Sequence, residues 1–218
     1  RCHWFKENPE DIDPGDRFYS DYSTRGDGTW KGRGGTGLWK TFEDNLTKRG
    51  IEIWTKTELK RLIVSEAGEV IGVVVEKDGK ELNLKANKGV VLATGGFTRN
   101  EEMLWDYRQT KFQEFTEVQM RGGSAAPGEC DGSSVKAALA LGAGVKTIAC
   151  NNGGIRINTD AQVLNVFGEP IPRLFASSKA IGGIYGNLYP VCGAYVSAFV
   201  CFGRIAGKNV AKLDPVSL

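Results

Sequence analysis

The stretch YGNLYPVCGAYVSAF, residues 185–199, sets two tyrosines and a Tyr-x-x-x-Gly step, Tyr189 to Gly193, between a glycine-rich approach and an apolar run. It reads either as a plain turn into a helix or as a place where something is held and reacted. Cys192 is the nucleophile within it, but no histidine or other base stands near in sequence, so a buried thiol is the simpler reading. The five cysteines form no C-x-x-C pair and His3 is the one histidine, which argues against a zinc or haem site, so no metal is expected. Glycine is the outlier. Of its 29 residues, 20 are concentrated at 26–37, 95–96, 122–132, 142–144, 153–154 and 182–193. Such clusters mark turns that need positive φ, or backbone pressed against a ligand where a side chain would intrude.

The rest of the composition narrows the partner. A chain of 218 residues, 41% hydrophobic and 25% charged, is long enough to bury a core and ordinary for a globular protein. A net charge of +2 with interspersed signs points to neither nucleic acid nor an anionic membrane. No apolar run approaches the roughly 20 residues of a membrane span, and the polar N-terminus does not read as a signal peptide. The scattered cysteines read as reduced, mostly buried thiols of a cytoplasmic protein. Oligomeric state is left open.

The elements that must position these glycines follow from local pattern. Residues 1–35 read as an irregular segment. Thr36 is placed to cap a helix over 37–49, with Leu38, Phe42 and Leu46 on one stripe. Residues 51–57 and 60–66 read as strands, and residues 70–86 as a hairpin turning at Asp78-Gly79 in a type I′ turn. Residues 90–93 form a short apolar strand without alternation, so both faces should be covered, as in a parallel sheet flanked by helices. It runs into Thr94-Gly95-Gly96. Asn100 then caps a helix, Ser133 or Ser134 starts another, and Pro170 and Pro172 lead into a second short apolar strand. The final helix, about 195–212, is apolar nearly all round and should be buried. Glycine turns at the carboxyl ends of short buried strands are where open α/β sheets bind ligands.

KGVVLATGGFTRNEEM (88–103), GECDGSSVKAALALGAGV (128–145) and GGIRINTDAQVLNVFGEPIPRLFASSKAIGGIYG (153–186), preceded by the helix, strand and meander of 35–81, resemble in this order the flavoprotein family of fumarate reductases, succinate dehydrogenases and 3-ketosteroid dehydrogenases. The resemblance covers most of residues 34–212. It implies an α/β fold: a Rossmann-like, glutathione reductase-like FAD-binding domain whose parallel sheet is flanked by helices and joined by a β-meander. Residues 36–149 and 150–218 would be its two parts. The family's N-terminal strand–glycine loop–helix is missing, as is the cap domain expected near residues 149–153, so the chain reads as part of a larger polypeptide.

The resemblance also implies roles. Thr94, Gly95 and Gly96 would pass close to FAD, Asp131 and Gly132 match the family's Asp-Gly, and Leu59 lies on the edge beside adenine. Ser178 falls in the C-terminal block, and Ala194, Tyr195 and Val196 open the last helix against the flavin, where its free N–H groups favour negative charge. Lys179 stands where the family usually carries an acid. The dicarboxylate-binding His and Arg of the fumarate branch are absent from 185–193, whereas Tyr189 and Gly193 match the Tyr-x-x-x-Gly of the ketosteroid branch. There they would form an oxyanion hole for an enolate, with Tyr195 and Ser197 as a further catalytic pair. The expected substrate is a small apolar, steroid-like ketone. Alternatives are reduction of another unsaturated acid or enone, a non-catalytic flavoprotein domain, or, for Tyr189, a simple turn residue before Pro190.

Overall fold

The computed structural model describes residues 35–97, 100–107, 131–146, 154–185 and 194–216. The chain divides into two units, Arg1–Thr55 and Lys56–Leu218. The first holds α1, Gly35–Lys48. Thr36 is its second residue rather than a cap. Gly50 follows at φ 65°, and the Ile51 N–H returns to the Leu46 carbonyl at 3.0 Å, a left-handed glycine closure. That closure is why the strand expected at 51–57 does not form. Ile51–Trp54 join no ladder, and pairing begins only at Thr57.

The second unit opens with an antiparallel meander of β1 (Thr57–Val64), β2 (Val70–Lys77) and β3 (Lys80–Lys85), in that spatial order. Asp78 at φ 51° and Gly79 at φ 74° turn β2 into β3, both left-handed as a type I′ turn demands. After β4 (Val90–Leu92) come α2 (Glu101–Tyr107) and α3 (Ser133–Leu139). Next are β5 (Val145–Lys146), β6 (Gly154–Ile155), β7 (Gln162–Leu164) and β8 (Pro170–Ala176). A 3₁₀ turn at Ser178–Ala180 and α4 (Ala194–Lys212) complete the described elements. A second sheet has the order β4-β8-β7, and β5 pairs with β6.

The expected parallel sheet is present only as one pair. β4 runs parallel to β8 in the register Val90↔Leu174, Val91↔Phe175 and Leu92↔Ala176, whereas the other described strand pairs are antiparallel. Parallel pairing needs a long crossover, which the chain supplies between Leu92 and Pro170, while short turns join β1 to β2, β2 to β3 and β7 to β8. Pro172 sits inside β8, yet the β7 register shifts opposite it and Arg173 takes φ 63° there, so its missing N–H falls where the ladder is interrupted.

β8 organises the core from both faces. Leu174 and Ala176 enter a cluster with Val70, Leu92, Val135, Ile155, Val163 and Ile181. Phe175, on the other face, packs with Ala161, Ala206 and Phe202. At the end of the strand the buried Ser177 hydroxyl donates to the Phe199 carbonyl at 3.0 Å, tying β8 to α4. Three expectations of burial fail here. Ala198 and Ala206 of α4 are buried, but Val196 and Val200 remain 58% and 60% exposed, so the helix buries one stripe and not its whole circumference. Cys201 is an exposed free thiol on the same helix; the other four cysteines lie outside the described residues. Val91 is 39% exposed, so one face of β4 is incompletely covered. Among the described residues no helix is long and apolar enough to cross a membrane.

Two glycines separate the packing role from the flexibility cost. A Cβ on Gly154 would stand 2.5 Å from the Ala180 carbonyl oxygen, whereas a Cβ on Gly207, inside α4, would meet nothing within 4 Å. Gly154→Ala is expected to destabilise the protein by about 1–3 kcal/mol, and Gly207→Ala to stabilise it by about 0.5–1 kcal/mol. Urea denaturation of the two variants checks both signs.

Candidate functional site

Two glycine corners meet at the carboxyl ends of β4 and β8. Gly95 leaves β4 at φ 91°, and Gly132 enters α3 at φ 86°. The Gly132 N–H donates to the Gly96 carbonyl at 3.0 Å, and the Ser134 hydroxyl donates to the Gly95 carbonyl at 3.3 Å. No larger residue fits at 132. A Cβ there would lie 2.9 Å from the Phe97 Cβ and would also strike the Met103 sulfur. Asn100 fixes the junction from outside. Its Oδ1 accepts the Met103 N–H at 3.0 Å, capping α2 as the sequence indicates, and its Nδ2 donates to the Asp131 carbonyl at 2.9 Å. Asp131 Oδ1 in turn accepts the Ser133 N–H at 2.9 Å and starts α3.

These corners form one wall of a cleft of about 860 Å³, within the range of about 300–1,000 Å³ usual for small-molecule sites. Lys56, Thr57, Glu58 and Leu59 line it from the start of β1, and Glu76, Asp78 and Gly79 from the β2–β3 turn. Thr94 and Gly95 line it beyond β4, Asp131 and Ser133 at α3, and Ser178 and Lys179 beyond β8. Three of the five non-glycine residues with positive φ among the described residues, Lys56 (52°), Asp78 (51°) and Ser178 (65°), line the cleft. Each such residue costs of order 1 kcal/mol and persists only where its surroundings hold it.

Charge is arranged along the meander side of the cleft. Glu58 and Glu76 face each other across β1 and β2. Like charges placed so would repel. Lys60 lies 3.1 Å from both carboxylates, and its hydrogen bonds, to Glu58 first and then to Glu76, hold its pKa above the ordinary lysine value.

Leu59, Thr94, Gly95, Asp131 and Ser178, far apart in the sequence, thus share one cleft. Gly96 and Gly132 are buried behind it and carry the joining hydrogen bond. Ala194 and Val196 open α4 and are not among the lining residues. The Ser197 hydroxyl donates to the Ala194 carbonyl at 2.8 Å, as does the Tyr185 hydroxyl at 3.0 Å. Tyr189, Gly193 and the Tyr195 side chain lie outside the described residues. Sequence reasoning missed Lys56, Thr57, Glu76, Asp78, Gly79 and Ser133 as lining residues. The Asp78-Gly79 turn was legible as a glycine corner, but Lys56 carries no local signal of its left-handed backbone.

A family model described as FAD binding domain matches residues 22–149. The chain belongs to that family, and its cofactor is FAD. A 74-residue stretch is 38% identical to the 3-oxosteroid 1-dehydrogenase of Comamonas testosteroni, covering 34% of this chain and 13% of that protein's length. The fold resembles 3-ketosteroid-Δ4-(5α)-dehydrogenase from Rhodococcus jostii RHA1, with a TM-score of 0.70 and 19% identity over 84% of this chain and 65% of that one. It also resembles a flavocytochrome c3 fumarate reductase, with a TM-score of 0.66 and 18% identity over 82% of this chain and 56% of that one.

The cleft suits such a dinucleotide. The Gly95 corner presents main chain to the cleft without a side chain, and the Asp131 carboxylate on its lining retains acceptor capacity for a sugar hydroxyl. Ser178 tests the strain argument directly. Ser178→Gly is expected to raise stability by about 0.5 kcal/mol, because relief of a left-handed backbone outweighs the added chain entropy. Ser178→Val is expected to lower it by at least about 1 kcal/mol. Denaturation midpoints of the two variants check the difference.

Proposed function

We propose that this chain is the cofactor-binding part of an FAD-dependent oxidoreductase. Its reaction makes or removes a carbon–carbon double bond beside a ketone on a steroid-like substrate. The observation that carries the reading is the cleft in which the Gly95 and Asp131-Gly132 corners meet Ser178 at the ends of the parallel β4–β8 pair. The likeness to 3-oxosteroid 1-dehydrogenase supports the substrate class. So does the fold shared with a 3-ketosteroid dehydrogenase solved in complex with 4-androstene-3,17-dione. Residues 36–149 and 150–218 are read as two parts of one domain, with the β4–β8 pair belonging to a Rossmann-like, glutathione reductase-like sheet. A cytoplasmic location fits the free thiol of Cys201.

FAD, when bound, supplies the two-electron acceptor or donor. The chain's own task is to hold the ketone. In this reading the Tyr189 phenol and the Gly193 amide donate to the ketone oxygen and stabilise the charge it gains as a neighbouring C–H is lost. Tyr195 and Ser197 stand one helical step on, and Tyr185 anchors the approach through its bond to Ala194. The fumarate reductase fold likeness favours a second reading, reduction of another unsaturated acid or enone. The absence of cationic clamps from residues 185–193 weighs against a dicarboxylate.

The test is anaerobic mixing of the FAD-reconstituted protein with a 3-ketosteroid, an enone and fumarate, followed by the visible flavin band. The ketosteroid is expected to bleach it, and Tyr189→Phe to slow bleaching about 100-fold with FAD binding unchanged. Reoxidation of the reduced protein by fumarate, with no response to any ketone, contradicts the reading.

A further inference from the structure

We infer that Lys179 is the counter-charge for the cofactor's diphosphate and sets how tightly this cleft holds it; the inference rests on the FAD reading above. The diphosphate of FAD carries two negative charges at neutral pH, so it needs cations or aligned N–H donors where it lies. The residues lining the cleft do not supply an excess of positive charge. Two lysines, Lys56 and Lys179, stand against Glu58, Glu76, Asp78 and Asp131. The nearby Lys60 is committed to Glu58 and Glu76.

The two ends of the cleft differ. At the meander end Lys56 shares the wall with Glu58, Glu76 and Asp78. At the other end, where Gly95 and Ser178 turn away from β4 and β8, the charged lining residues are Asp131 and Lys179. Asp131 is engaged in starting α3 through the Ser133 N–H. Lys179 has neither a hydrogen bond nor an ion pair among the described residues. Its backbone is nonetheless held, because the preceding Ser178 is fixed at φ 65° and Ser177 is bonded to α4. A fixed backbone carrying an exposed, uncommitted ammonium on the lining of a cleft suits capture of an anion. Because Lys179 is exposed, the interaction weakens as salt rises.

Calorimetric titration of the purified protein with FAD and with riboflavin, which lacks the phosphates, separates this role from others. Lys179→Gln is expected to weaken FAD about five- to tenfold in low salt, to flatten the salt dependence of FAD affinity, and to leave riboflavin affinity unchanged. Lys179→Arg is expected to restore most of the FAD affinity. Unchanged FAD affinity and salt dependence in Lys179→Gln overturns the inference while leaving the FAD reading intact. Equal losses for FAD and riboflavin overturn it too, since the lysine then acts elsewhere than on the phosphates. Failure of the wild-type protein to bind FAD overturns both.

Discussion

The hydrogen bond from the Gly132 amide to the Gly96 carbonyl, 3.0 Å long, is the constraint on which the cleft depends. It joins the chain leaving β4 to the chain entering α3, two segments with no local reason to meet. It forms only because residue 132 has no side chain, with Phe97 and Met103 filling the space a Cβ would need. Once it is made, Asp131 and Ser133 are presented beside Thr94 and Gly95, and Asn100 holds the junction from α2. A site built from main chain in this way is stiff. Its donors need no rotamer fixed, and they stay in place as side chains around them vary.

β8 supplies the complementary wall. It is the central strand of its sheet, and its two buried faces give it little freedom to shift, with Leu174 in one cluster and Phe175 in the other. Its last residues therefore deliver Ser177 and Ser178 to fixed positions. The strain at Ser178 is tolerated because the strand and the Ser177–Phe199 bond that precede it hold the backbone in place. Arg173 shows the same principle in the middle of the strand. Also left-handed, it donates to the Lys88 and Asp214 carbonyls and pairs with Glu69 at 3.3 Å, stitching the C-terminal segment to the meander.

Local chemistry with one solution was legible in the sequence. Asp78-Gly79 declared its turn because few residues accept two successive left-handed conformations, and Asn100 declared its cap because its side chain competes for backbone N–H groups. The cleft residues Thr94, Gly95 and Asp131 were legible through glycine and through resemblance. What failed depended on neighbours. The apolar circumference of α4 does not say which stripe has a partner, so Val196 and Val200 were read as buried. The alternation at Ile51 and Ile53 imitates a strand, but the closure of α1 occupies the start of that segment. Parallel pairing was legible at Val90–Leu92, which does run parallel to β8, but the extent of the parallel sheet was not, because the short turn before β8 makes β7 its antiparallel neighbour. Lys56 and Ser178 adopt glycine-like backbones with no glycine to announce them.

Amide hydrogen exchange of the purified protein with and without FAD tests the central claim most directly, because it reads the main chain that the cleft is made from. The account predicts that FAD slows exchange together at residues 57–59, 94–96, 131–133 and 177–180, segments far apart in sequence that share one cleft, two of them joined by the Gly132–Gly96 bond. Protection confined to one of these segments, or appearing only elsewhere, contradicts it.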